Sequence, residues 1–306
     1  MFASFLTTIF FSISAVCGHR SAKMIGGTEA NFWRAAIATL LLAIWSYSFG
    51  KGLAGAAFPA FLLSGILGIG VGDVAYFQAL PRLGSRLTLL LVQCLTAPMG
   101  AILEWLWLGT TLSLWQILFG LTTLAGVGVA LAPGEHLRLT RREWTAGTLF
   151  GVMASLGGAG GAVLSRKAYL IVQSSGEHID PINAGYQRML GGLFLAGVCL
   201  LVVKRREIRV RLRASRDLGI EASRKKWRSV WLWILLNALA GQTLGVSCMQ
   251  RAFETTPAGV VLPIIAMSPI VVIPIAFVVE HERPTLRSLA GGAIAVAGVI
   301  ALTLSR

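Results

Sequence analysis

The chain has 306 residues, of which 55% are hydrophobic and 13% charged, with a formal net charge of +14. Its mean hydropathy is +0.73, whereas a soluble domain carries about a quarter charged residues. Uncharged runs long enough to cross a bilayer, about 17–25 residues, recur along its whole length, which excludes a soluble globular protein and indicates an all-α integral membrane protein.

Ten transmembrane spans are predicted, at 2–24, 30–49, 56–80, 86–108, 113–132, 145–168, 182–203, 229–252, 258–279 and 286–304. The first, MFASFLTTIFFSISAVCGHR, lacks the basic start of a signal peptide and reads as a membrane helix. The 35 glycines fall mostly inside the spans, where small residues at three- and four-residue spacing let helix backbones approach closely in lipid. Cys17, Cys94, Cys199 and Cys248 sit in apolar runs with no metal-like spacing, so they read as small buried hydrophobes.

Two connections are longer than the rest, at 133–144 and 204–228. The second carries eleven Lys/Arg but no interleaved aromatic platform. It joins two membrane spans and reads as a cytosolic loop resting on anionic lipid rather than as a nucleic-acid site.

The halves of the chain look alike. NFWRAAIATLLLA echoes GYQRMLGGLFLAG and aligns Arg34 with Arg188; further segments pair Pro98 with Pro269 and Gly126 with Gly298. Order and spacing agree, so residues 1–133 and 144–306 are expected to be duplicated units of five helices. An odd number of crossings turns the second unit upside down. Inverted repeats are a transporter architecture, with the substrate site between the halves near mid-membrane.

Each unit has an Arg early in its second helix and a Pro within its fourth, and EHERPTLRSLAGG carries a Glu282-Arg283 step between the fourth and fifth helices of the second unit. In these features the chain resembles the drug/metabolite transporter superfamily of the EamA type. The first unit departs from the pattern, with Thr110-Thr111 where the Glu-Arg step is expected. The resemblance implies export or exchange of amino acids, other small metabolites or drugs, and both termini inside.

An ionisable group at mid-bilayer is costly and faces protein or water. Asp73, in GIGVGDVAYFQAL, shares a helical face with Tyr76, Phe77 and Leu80. It is a candidate for binding a cationic solute or for passing a coupling proton, against a structural hydrogen bond. Glu104 shares a stripe with Gln93 and is the second coupling candidate. Arg34 and Arg188 are matched between the repeats and either serve a site or snorkel to the interface. Gln242, with Asn237 and Gln250, is expected to bond between helices or to line a cavity. Pro98, Pro263, Pro269 and Pro274 are hinge candidates, since each removes a backbone hydrogen bond. No catalytic residue, metal set or cofactor is expected.

The leading expectation is a secondary transporter of a small organic solute, an exporter or exchanger working by alternating access in the bacterial cytoplasmic membrane. The alternative is a polytopic membrane enzyme acting on lipid or polyprenyl substrates. It is disfavoured because the three Asp (Asp73, Asp180, Asp217) are scattered. With Arg34 and Arg188 counted as intramembrane, five of the other Lys/Arg (Lys51, Arg166, Lys167, Arg251 and Arg306) fall on the face holding both termini and twenty on the other. That bias makes the basic face cytoplasmic and puts both termini outside, opposite to what the family resemblance implies.

Overall fold

In a computed structural model, residues 2–131, 140–213, 220–268, 270–271 and 286–304 are described. Among them every regular element is helical. The order is α1 (Phe2–Ile25), α2 (Gly27–Ser48), α3 (Phe58–Gly65), π1 (Ile66–Asp73), α4 (Val74–Leu108), α5 (Leu114–Leu131) and α6 (Arg141–Ser174). It continues with α7 (Pro181–Arg213), α8 (Ile220–Asn237), π2 (Ala238–Gly245), α9 (Val246–Thr255), α10 (Ala258–Ile265) and α11 (Leu286–Leu304). Six helical stretches among the described residues are long and apolar enough to cross a membrane, two of them Phe58–Ala79 and Leu90–Leu108.

Helix boundaries follow local chemistry. Ser113 and Gln116 exchange hydrogen bonds across the start of α5, and Thr140 and Glu143 form a capping box at the start of α6. Gly109 ends α4 at φ 67, a left-handed conformation that glycine adopts at little cost. Two boundaries differ from expectation. The basic run 204–228 is helical wherever it is described, through the end of α7 and the start of α8. Lys, Arg and Glu are good helix formers, so the membrane helices continue beyond their apolar stretches. Residues 214–219 of that run, and 132–139 of the other long connection, lie outside the described set.

The second difference is that α4 is helical throughout 74–108, where a connection between two spans was expected. The contacts with α6 nevertheless show the chain doubling back. Phe61 meets Tyr169, Ser64 meets Ser165, Gly68 meets Gly161 and Gly72 meets Gly157, in descending order along α6. Val92 then meets Ser155, Thr96 meets Gly158 and Glu104 meets Arg166, in ascending order. Between Leu83, which packs on Gly147, and Leu91, which packs on Gly151, the direction reverses.

One end of the bundle therefore holds the N-terminus and the turns at 49–57, 109–113, 175–180 and 256–257. The opposite, basic end holds Gly26, the reversal before Leu91, the end of α7 and the start of α8. Helices α2 and α7 run antiparallel, with Tyr47 on Tyr186 and Glu29 ion-paired to Lys204. So do α5 and α11, through Gly126 on Gly291 and Thr123 on Gly298. The two π-helical segments lie 172 residues apart, as do Gln78 and Gln250 and Gly126 and Gly298. Each π segment packs against the first long helix of the other half, π1 on α6 and π2 on α1.

Large apolar side chains such as Leu40, Ile44, Phe194 and Leu201 are exposed. Exposed rings gather near both ends, Trp45, Trp105 and Trp115 at one and Trp33, Trp144 and Trp231 at the other. Lipid accounts for both features: hydrocarbon around the middle and interfacial anchoring at the rims.

Without a hydrophobic force between helices in lipid, association rests on close packing. At the crossing of π1 with α6, a Cβ added to Gly161 would lie 2.6 Å from the Cα of Gly68, and one added to Gly157 would lie 2.7 Å from the nitrogen of Gly72. Only glycine fits there. Gly161→Val should therefore cost about 1–3 kcal/mol through overpacking and lower the melting temperature of the detergent-purified protein by several degrees. Gly128→Ala, where nothing lies within 4 Å of the added carbon, should leave it unchanged or slightly raised; equal losses in the two variants would refute the packing account.

Candidate functional site

Arg34 projects from the first half of α2, three residues after Asn31, whose Oδ1 accepts from its Nε at 3.0 Å. Nη2 of Arg34 donates to Oδ2 of Asp73 at 2.6 Å. Its guanidinium also stands 5.1 Å from the ring centre of Phe77, close enough for a cation–π contact. Asp73 closes π1, where the wider helical turn shifts side-chain direction relative to an α-helix. From the other half, π2 supplies Gln242, whose Nε2 donates to the same Oδ2 at 3.1 Å. One carboxylate oxygen thus joins α2, π1 and π2.

Arg188 enters from α7. It donates from Nη1 to Oγ of Ser165 at 3.1 Å. Ser165 also accepts from Gln250 Nε2 at 3.1 Å and lies 2.8 Å from Ser64 Oγ. With both lone pairs of Ser165 taken, its proton goes to Ser64, which donates in turn to the carbonyl of Gly161 at 2.6 Å. Arg34 is 8% exposed and Arg188 4%, so neither snorkels to the interface as one reading of the sequence allowed.

Arg34, Asp73, Phe77, Gln242 and Arg188 line a cavity of about 250 Å³ between the halves. Its walls come from α1, α2, π1, both legs of α4, α6, α7, π2, α9 and α10. They occupy mid-membrane levels and those nearer the basic end. Toward the opposite end the bundle is filled by Ser64, Ser165 and Gln250, and then by Phe61 edge-on to Tyr169 at 5.2 Å. The side chain of Asp73 is 26% exposed and faces this cavity.

Asp73, Tyr76, Phe77, Gln93, Arg34, Arg188 and Gln242, all candidates from sequence, meet here. Glu104 does not line it. It is 1% exposed, and its Oε2 accepts from the backbone nitrogen of Gly259 at 3.0 Å, capping the start of α10. Its Oε1 stands 4.0 Å from Nε of Arg166, and Nη1 of Arg166 donates to the carbonyls of Phe253 (2.8 Å) and Glu254 (2.9 Å) at the end of α9. Pro98 and Pro263, the latter inside α10, border a separate groove of about 360 Å³ among exposed residues. Pro269, Pro274, the Glu282-Arg283 step and the side chain of Leu80 lie outside the described residues.

Several participants escaped the sequence reading. Asn31 had a signal, since it lies one helical turn before Arg34. Ser64, Ser165 and His19 had none, because serine is unremarkable in a membrane helix and His19 sits near a helix end.

The sequence profile of the EamA-like transporter family matches residues 1–132 and again 145–304. The chain belongs to that family. It is therefore a member of the drug/metabolite transporter superfamily, and its apolar helices make it an integral membrane protein. Curated proteins give no sequence match. A solved crystal structure of another protein is similar at a TM-score of 0.73 and 16% identity, over 99% of this chain and 96% of that one. At that identity the likeness extends to the fold alone.

In this EamA-like chain Glu104 ties α4 to the turn between α9 and α10. Removing one partner of a buried charged pair costs about 3–5 kcal/mol. Glu104→Ala should lower the melting temperature by several degrees. Glu104→Gln, whose amide oxygen can still accept from Gly259, should lower it less; a melting temperature unmoved by Glu104→Ala would dismiss the structural role.

Proposed function

We propose that the protein is a secondary transporter that moves a small organic solute through the Arg34–Asp73 cavity, as an exporter or exchanger in the bacterial cytoplasmic membrane. The observation that carries this is a charged cavity with walls drawn from both halves of the chain. An ion pair there is costly to keep in a bilayer unless it serves transport or a partner.

Alternating access between two inverted five-helix repeats, 1–133 and 144–306, is the mechanism proposed. Three features support it: the twofold match to the family profile, the matched π segments, and the antiparallel course of α2 against α7 and α5 against α11. Repeats related by an axis along the membrane normal would put such counterpart helices parallel. With the cavity set toward the basic end and the other end packed, the conformation corresponds to one access state. By the charge bias that state faces the cytoplasm.

Comparison of intracellular and extracellular metabolite pools in cells with and without the protein should reveal one solute class displaced. In proteoliposomes, flux of that solute should fall at least tenfold in Asp73→Asn at matched abundance. The amide keeps the side-chain shape but loses the charge that Arg34 and Gln242 address. If Asp73→Asn transports like the native protein, the acid is a structural bond, and coupling through it is wrong.

The orientation has its own check. A reporter active only outside the cytoplasm, fused after Arg306, should be active, and the same reporter placed in 204–228 should be silent. The reverse pattern would put both termini inside.

A further inference from the structure

The two arginines of the cavity are not equivalent. Arg34 is neutralised: Asp73 takes one nitrogen, Asn31 takes another, and Phe77 lies against the guanidinium. Arg188 has no carboxylate within ion-pair distance among the described residues; Asp73, already bound to Arg34, acts on it only from beyond hydrogen-bond reach. The only side chain that accepts from it among the described residues is the neutral hydroxyl of Ser165, and its buried Nε has no hydrogen-bond partner at all. Its other terminal nitrogen lies over Gly68, where a Cβ would collide with it. The glycine leaves room for the cationic head rather than for a side chain.

The charge count points the same way. The Arg, Lys, Asp and Glu side chains lining the cavity are Arg34, Arg188 and Asp73, two basic and one acidic, and His19 adds no acid to them. A buried guanidinium with no anion bound to it is unfavourable, and its fork of donors matches a carboxylate or phosphate oxygen pair. The neighbours of Arg188 cannot supply that anion. Ser165 is already saturated by Gln250, Arg188 and Ser64. The cavity offers about 250 Å³ to a solute.

We infer that Arg188 is the substrate's anion site, and that the transported solute is a small organic molecule with a single acidic group, carboxylate or phosphate. This rests on the transporter reading and narrows it. Arg34 and Asp73 then form the internal pair beside the site, and the incoming anion completes the charge balance that Asp73 alone cannot.

The test is binding of radiolabelled benzoate to the detergent-purified protein, competed by unlabelled benzoate, phenyl phosphate, benzylamine and benzyl alcohol. These share one ring and differ in the charge of the head. Benzoate should bind saturably and be displaced by itself or by phenyl phosphate, whichever head group fits better, but not by benzylamine or benzyl alcohol. Arg188→Gln should weaken benzoate about tenfold or more, as expected for loss of a charged hydrogen-bond donor, and Arg188→Lys should weaken it less. Asp73→Asn should tighten benzoate severalfold, because it removes the one competing negative charge. That last variant keeps the test decisive if Arg188 variants do not fold.

Equal displacement by benzylamine or benzyl alcohol, absence of saturable benzoate binding, or unchanged affinity in a folded Arg188→Gln would each overturn the anion site. Solute flux distinguishes the two levels. Flux that persists without anion preference sinks this inference alone, whereas a protein that moves no solute sinks the transporter reading.

Discussion

A guanidinium and a carboxylate 2.6 Å apart inside an apolar bundle impose conditions on everything around them. Neither charge tolerates lipid, so both must be surrounded by protein or held water. The bundle meets this by bringing three elements to one oxygen. Arg34 comes from α2, Asp73 from π1 and Gln242 from π2. At π2 and the end of α10, hydroxyls of α1 reach backbone carbonyls of the other half. Thr7 donates to the carbonyl of Gly245 at the end of π2, and Thr8 and Ser12 donate to Ile264 and Ser268 where α10 gives way. Irregular backbone in a membrane survives only where such partners are supplied.

The close approach of helices follows from the same pair. Asp73 can reach Arg34 only because π1 runs tightly against α6 and α7, and the crossing glycines 68, 72, 157 and 161 allow that. A larger residue at Gly157 or Gly161 would meet the π1 backbone at 2.7 and 2.6 Å and push π1 outward, lengthening the ion pair. The polar site and the glycine-rich packing are therefore one construction.

Much of the fold was legible in the sequence because membrane spans announce themselves through length and hydropathy. Internal matches such as Arg34 with Arg188 gave the family as well. Asp73, Tyr76, Phe77, Gln93 and Gln242 were legible as site candidates because a polar residue in an apolar run is conspicuous. Their mutual arrangement was not. The Arg34–Asp73 pair spans 39 positions and the Gln242–Asp73 bond 169, and no local pattern encodes either. Glu104 looked equally conspicuous. Its role depends on which helix start happens to face it, and the sequence of α4 carries no information about the turn at Pro257. The basic run read as a loop because charge suggested solvent, yet the same residues have strong helical preference once a membrane helix has nucleated them.

The bundle is unequal at its two ends, and the inequality bears on how it could move. Near mid-membrane and the basic end, polar groups face a cavity. At the other end Glu104 and Arg166 bind the end of α9 and the start of α10 together. These contacts are made mostly to backbone groups at a turn, so they hold α4, α6, α9 and α10 as one cluster instead of fixing one side chain. A rocking motion that opened this end would have to expose a carboxylate 1% accessible in the present state, and water would then replace the backbone nitrogen of Gly259 as its partner. That exchange becomes feasible only as water enters. Hydration of the closed end and rupture of the Glu104 contacts would therefore be a single step, which favours two discrete states over a continuum between them.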